Sequence, residues 1–321
     1  MDNYSMASQH EKLKLIVEEI EKVIIGKREV VRMLLIALLS GGHVLIEDVP
    51  GVGKTTLATA LGKATGLDCR RAQFTPDVMA SDITGFTMFN KELNKFEFRQ
   101  GLVMCNILLA DEINRTSPKT QSALLEAMEE RSVTVDGTAH KLPSPFMVIA
   151  TQNEVGYVGT FPLPEAQLDR FMMKISMGYP TIEEEIGIIS GRKSDEPLKN
   201  VKPICGAEEI ISCMETVKLI NIEQSIYRYI VELAAATRKH PSVLLGASPR
   251  ASLALMRASQ AYAYLAGRTY VTPEDVVRMV PYILSHRIQL TQEAKIKRID
   301  EMDVLKEIAQ SIKPPLRKNE G

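Results

Sequence analysis

The amino-acid sequence predicts an α/β fold: a parallel sheet sandwiched by helices, followed by a smaller all-helical domain. Three observations carry that expectation. Up to about Tyr179, short apolar or β-branched runs alternate with helical stretches, the rhythm of a parallel sheet covered on both faces. After Pro180 the strand signal stops and helical periodicity takes over. The 321 residues exceed one ordinary domain of roughly 100 to 200 residues, so two are expected, at 1–180 and 181–321.

Four runs read as buried strands: residues 43–47, 106–110, 146–150 and, with a weaker apolar pattern, 69–74. Residues 172–176 make a fifth candidate ahead of Tyr179-Pro180. Two insertions interrupt the alternation. Residues 85–101 alternate apolar and polar side chains around Lys91-Glu92-Leu93-Asn94, and residues 132–145 do so around Asp136-Gly137, a strong turn signal, so both are expected to be hairpins. Their role stays open between plain edge structure and the gripping of a partner. In the helical part, Ile226, Tyr229, Ile230, Leu233 and Ala234 fall on one face of residues 223–240. Ser248-Pro249 opens one helix, and Thr272-Pro273-Glu274-Asp275 opens another with an N-cap, a proline first and an acid third. The polar residues 191–203 read as a linker or an exposed loop between helices.

Composition narrows the function classes. With 39 basic and 40 acidic residues the net charge is -1, which argues against a polybasic nucleic-acid binder. The cysteines, Cys69, Cys105, Cys205 and Cys213, form no Cys-x-x-Cys pair, so they read as buried thiols in a reducing compartment rather than a zinc knuckle or a disulfide framework. The five histidines are dispersed, and Met33, Met104, Met128 and Met256 sit at apolar, core-like positions. The N-terminus lacks the features of a signal peptide, and the longest apolar run, residues 33–39, falls far short of the ~18 to 20 residues that span a bilayer. A cytoplasmic protein without a membrane span is expected.

The strongest chemical signal is Asp48-Val49-Pro50-Gly51-Val52-Gly53-Lys54-Thr55, which follows a strand and opens a helix near Thr55. Glycines there let backbone N–H groups turn toward phosphates, and the helix adds its positive end. Lys54 is suited to neutralise β and γ phosphates and Thr55 to hold Mg²⁺. The motif departs from Gly-x-x-x-x-Gly-Lys-Ser/Thr at its first place, where Asp48 stands. Downstream, an apolar strand ends in Asp111-Glu112, two carboxylates emerging at the carboxyl edge of the sheet. Asp111 is placed for the metal and its water shell, and Glu112 for the attacking water as general base. A third strand ends in Thr151-Gln152-Asn153, where an amide suits the γ-phosphate or that water. Residues 162–171 read as a helix whose end offers Arg170, and Arg250 stands at a helix start in the second domain.

Together these segments resemble a AAA+ ATPase, and within that superfamily the chain is similar to the MoxR family. The resemblance is carried by residues 49–55, by Leu109-Ala110-Asp111-Glu112-Ile113-Asn114-Arg115, by Ala150-Thr151-Gln152-Asn153, by Glu165-Ala166-Gln167-Leu168-Asp169-Arg170-Phe171 and by Gly246-Ala247-Ser248-Pro249-Arg250. These motifs follow the family's order across about residues 25–286. The resemblance implies a P-loop NTPase fold with a helical lid, ATP and Mg²⁺ as cofactors, and ATP hydrolysis. It implies Asn153 as sensor of the γ-phosphate, Arg170 as arginine finger and Arg250 as second sensor. Lys54, Asp111, Glu112, Asn153, Arg170 and Arg250 are then the catalytic set. By the same resemblance Ile25 and Gly26 are expected against the adenine, Pro50, Gly51, Val52, Gly53, Lys54, Thr55 and Thr56 against the nucleotide, and Thr55 and Asp111 on the metal. Glu154 stands where the family has proline.

A finger that reaches a neighbour's phosphate requires head-to-tail contacts and a closed ring, and the family implies a hexamer. Hydrolysis is expected to swing the lid and hairpins and so remodel a client, in chaperone-type maturation or metal-cofactor insertion. A partner with a von Willebrand factor A domain is expected to come from another polypeptide. The rivals are a nucleic-acid translocase of the same clade and a nucleotide-gated binding module with little turnover. Against the first, the hairpins mix Lys91, Lys95 and Arg99 with Glu92 and Glu97, so no nucleic acid is expected. Against the second stand Lys54, Asp111, Glu112 and Arg170, all intact.

Overall fold

A computed structural model describes residues 3–49, 51–152, 160–191 and 197–315; Pro50, Asn153 and Glu154 lie outside the described residues. Helices α1 (Asn3–Glu21) and α2 (Arg28–Leu39) precede strand β1 (Val44–Glu47). Then come α3 (Lys54–Thr65), β2 (Cys69–Gln73), the short α4 (Ala80–Thr84) and a hairpin of β3 (Gly85–Asn90) and β4 (Lys95–Gln100). They are followed by β5 (Ile107–Asp111), α5 (Pro118–Glu130), a second hairpin of β6 (Ser132–Val135) and β7 (Thr138–Lys141), β8 (Met147–Gln152), α6 (Glu165–Leu168) and β9 (Met173–Ile175).

Five strands pair in parallel in the order β2-β5-β8-β1-β9. The five runs read as strands from the sequence all belong to this sheet. Side chains on alternate faces enter different cores. Ile46, Leu109 and Ile149 join one, with α1, α2, α3 and most of the helical part; Leu45, Leu108 and Val148 join the other, with Leu124 and Phe171. Because β1, β5 and β8 are neighbours and parallel, the residues after their carboxyl ends emerge side by side.

Both hairpins form as expected, the second turning at Asp136 (φ 48°) and Gly137 (φ 77°). They are docked together: Phe98 of β4 stacks on His140 of β7 with centroids 3.8 Å apart. Residues 162–171 correct an expectation. Only one turn of helix forms: Pro164 keeps Leu163 out of the α region, so the helix starts after it, and from Asp169 onward Arg287 takes the carbonyls of Asp169, Phe171 and Met172.

The helical part comprises α7 (Ile182–Gly191), α8 (Ala207–Lys218), α9 (Gln224–Thr237), β10 (Val243–Leu245), α10 (Pro249–Leu265), α11 (Pro273–Leu284), β11 (Gln289–Leu290), α12 (Gln292–Ile296) and α13 (Glu301–Ser311). It departs from an all-helical reading in the small antiparallel pair β10-β11, whose strands are too short to show a period-two pattern. Ile226, Tyr229, Ile230, Leu233 and Ala234 are buried along α9. Ser248 caps α10, and Asp275 accepts the Thr272 N–H at 2.8 Å at the start of α11.

The four cysteines are free, and burial pushes the thiols of Cys105 and Cys205 up to about 12. Among the described residues no helix is long and apolar enough to cross a membrane.

Candidate functional site

The turn after β1 is shaped for an anion. Gly51 (φ 86°) and Gly53 (φ 96°) adopt the left-handed conformation, and a Cβ at Gly51 would meet nothing within 4 Å, so the space beside it is open. Helix α3 begins at Lys54, and its first-turn N–H groups, which include those of Thr55 and Thr56, have no partner within the helix. Lys54 is 9% exposed. Burial lowers the pKa of its ammonium, an effect opposed by the carboxylates of Asp48, Asp111 and Glu112. The ammonium donates to the Asp48 carbonyl at 2.9 Å. A buried cation already held beside its loop needs only to exchange one oxygen for a phosphate oxygen.

The acid pair stands at the end of β5. Asp111 accepts the Thr151 hydroxyl at 2.6 Å and the Arg71 guanidinium at 2.8 and 3.2 Å. Glu112 has φ 57°, its N–H donates to the Thr151 hydroxyl at 2.8 Å, and its carboxylate accepts Arg115 at 2.8 Å. Thr151 thus spaces the two acids from the neighbouring strand. Lys54, Thr55, Asp111 and Glu112 all belong to this carboxyl edge, as the sequence suggested. Arg71 and the role of Thr151 were not foreseen, since both depend on β2 and β8 flanking β5, which no local pattern states.

Arg170 and Arg250 lie elsewhere. The Met172 N–H donates to the His43 carbonyl at 2.8 Å, so Arg170 is at the amino end of β1, while the phosphate loop is at its carboxyl end. The extended chain from His43 to Asp48 spans about 16 Å. Both arginines bind one carboxylate on α5: Arg170 Nε is 3.3 Å and Arg250 Nη2 2.6 Å from Glu129. They border a cavity of about 410 Å³ that Arg131, Arg257 and Arg287 also line. The buried Arg287 fixes the segment that presents Arg170, donating to Asp169 Oδ1 at 2.6 Å and to the carbonyls of Phe171 and Met172 at 2.6 and 2.9 Å. Ser248 adds a bond to Asp169 at 3.1 Å. Glu129 and Arg287 carry no local motif and were missed.

Ile25 and Gly26 connect α1 to α2. A Cβ on Gly26 (φ 76°) would fall 1.8 Å from Glu184 Oε1, so a side chain there would collide with α7. Ile25 packs close to Gly187 of the same helix.

The open glycine turn, the lysine and the free helix end fit a nucleotide triphosphate. For Mg²⁺ the donors at hand are the Thr55 hydroxyl and the Asp111 carboxylate, hard oxygens of the kind the ion takes alongside phosphate and water. The described residues contain no cluster of three or more metal-ligating acids, histidines or cysteines, and an ion that shares its shell with phosphates asks for none.

A family profile described as "ATPase family associated with various cellular activities (AAA)" matches residues 43–173, and an "AAA lid domain" profile matches residues 235–308. The chain is 51% identical to YeaC of Bacillus subtilis, an uncharacterized protein, over 97% of both chains. It is 39% identical to the chaperone MoxR1 of Mycobacterium tuberculosis, over 97% of this chain and 84% of that one. The crystal structure of a candidate ATPase from Cytophaga hutchinsonii superposes with a TM-score of 0.91 at 37% identity, over 98% of each chain.

Proposed function

The chain belongs to the MoxR family of AAA+ ATPases, and from that premise we propose that it binds and hydrolyses ATP with Mg²⁺ to remodel or mature a partner protein. One observation carries this reading: the open loop of Gly51 to Thr55 and the acid pair Asp111-Glu112 share the carboxyl edge of one sheet. Lys54 leaves the Asp48 carbonyl for the β and γ phosphates. Thr55 and Asp111 would hold Mg²⁺ through the hydroxyl and the carboxylate that Arg71 now pairs with. The ion, when bound, screens phosphate charge and orients the transferred group. Glu112, released from Arg115, accepts a proton from the water whose oxygen attacks the γ-phosphorus, while the bond from that phosphorus to the β–γ bridging oxygen breaks and ADP leaves with the bonding pair.

In this reading Arg170 and Arg250 serve a neighbour's site, because they face the end of the sheet away from their own phosphate loop. Subunits then join head to tail and close into a ring, which we take as hexameric, with residues 1–180 as the nucleotide-binding domain and 181–321 as the lid. The first hairpin exposes Phe86, Met88, Phe89, Leu93 and Phe96, a surface suited to an apolar stretch of protein rather than to a phosphate backbone.

Labelled ATP tests the roles. Lys54→Ala should abolish tight binding, and Glu112→Gln should retain binding and lose turnover, since one side chain holds phosphate and the other activates water. Equal loss of binding in both would sink the assignment.

A further inference from the structure

We propose that Asp48 is a positioning residue that makes the connector between β9 and α7 respond to the phosphates; the inference rests on the nucleotide-binding reading. Asp48 stands where the general motif has glycine, and it is 7% exposed. Its carboxylate accepts the Ser176 hydroxyl at 3.0 Å, the Gly178 N–H at 3.1 Å and the Met177 N–H. Its backbone carbonyl accepts the Lys54 ammonium. One residue is thus joined through its side chain to the connector and through its backbone to the phosphate-binding lysine.

The same connector reaches the other end of the site. Lys27 donates to the Tyr179 carbonyl at 3.0 Å and lies 3.7 Å from Glu184, the residue that abuts Gly26. Glu184 also caps α7 reciprocally with Thr181, at 2.9 and 3.2 Å. Residues 176–184 therefore touch the phosphate loop at one end and the Gly26 segment at the other.

Helix α7 is free to follow. Among the described residues it supplies none to either core, and its Ile182, Ile186 and Ile189 are 74%, 61% and 68% exposed. When a phosphate takes the Lys54 ammonium, the Asp48 carbonyl loses its partner and its peptide can turn. The carboxylate moves with it and carries its three donors. Neither glycine nor an amide can accept all three, because an amide presents one oxygen and an N–H₂ that would oppose an N–H.

The test is hydrogen exchange on the full-length protein, read on peptides covering 51–60 and 176–190 with and without ATP and Mg²⁺. In the wild type ATP should slow exchange in both. In Asp48→Asn, ATP affinity should fall by no more than about tenfold, saturating ATP should still protect 51–60, and the response of 176–190 should vanish. Ser176→Ala removes one donor, leaves the phosphate loop untouched and should lose part of the response; it decides the matter if Asp48→Asn does not fold. An unchanged response of 176–190 in a variant that binds ATP overturns the proposal, as does a wild type that binds ATP without any response there. A wild type that binds no ATP overturns the nucleotide reading itself.

Discussion

His43 shows how much a single side chain settles here. Its Nδ1 accepts the Val148 N–H at 3.0 Å and its Nε2 faces the Met128 carbonyl at 3.1 Å, so the neutral ring with a proton on Nε2 satisfies both neighbours. A second proton would sit on Nδ1 and displace Val148. Burial, with Arg131 nearby, lowers its pKa from 6.5 to about 3. In the unfolded chain the ring takes its proton near 6.5, so the unfolded state binds more protons between those values. The contribution of His43 is therefore complete above pH 6.5 and is lost as pH falls toward 3, at about 1.4 kcal/mol per pH unit. His286, also buried and shifted down by burial and Arg287, adds to the same trend. Thermal unfolding should be steeply pH-dependent between 6.5 and 5, and His43→Gln should remove about that much of the slope; identical slopes would refute the assignment. At this scale the sequence was informative wherever chemistry follows a strand directly, as with Lys54 and Thr55 after β1 and Asp111 and Glu112 at the end of β5. It was silent on Arg71, Glu129 and Arg287, whose partners are remote in the chain.

Elements were legible in proportion to their periodicity. The strands of β1, β5 and β8 are continuous apolar runs, and the hairpins alternate, so all announced themselves. The helix read across 162–171 shrank to the one-turn α6, and the two-stranded β10-β11 gave no signal, since a few residues carry no period. The docking of one hairpin on the other through Phe98 and His140 was equally hidden. It fixes the first hairpin by its base and leaves its tip apolar and exposed, with Phe89 and Phe96 in edge contact at 5.2 Å and 44% and 72% exposed. If the tip meets the client, the double variant Phe89→Ser/Phe96→Ser should keep basal ATPase turnover and its melting temperature, as surface changes of this kind cost within about 0.5 kcal/mol. It should lose stimulation by a permanently unfolded, carboxymethylated protein. Stimulation that survives would assign the hairpin to edge structure. Single- or double-stranded DNA that stimulates turnover in its place would favour the translocase rival.

For the whole molecule, the position of the two arginines makes a prediction about mixtures. A trans arginine can supply ~10³ to 10⁵ in rate in related phosphoryl transfer, so Arg170→Ala and Arg250→Ala proteins should each be nearly inactive. Mixed with Lys54→Ala, whose arginines are intact, either should recover partial turnover. Mixed with each other they should not, because every site then lacks one of the two. Recovery in that last mixture, with subunit exchange demonstrated, would place Arg250 in its own subunit's site. The end of the five-stranded sheet was readable from the loss of strand signal after Pro180, but its contact with the helical part was not. The core that covers one face of the sheet runs without a break from Leu35 and Ile149 to Leu255 and Val280, and Arg287 nails the helical part to β9. A fragment ending at residue 180 would leave α2 bare and should not fold alone, and scanning calorimetry of the whole chain should give one endotherm with equal calorimetric and van't Hoff enthalpies. Two resolved endotherms would contradict it. The seam between the parts is packed core rather than a linker, which leaves little room for a lid to swing on its own base. If the proposed ring forms, force raised at the nucleotide would then be spent at its seams and along α7.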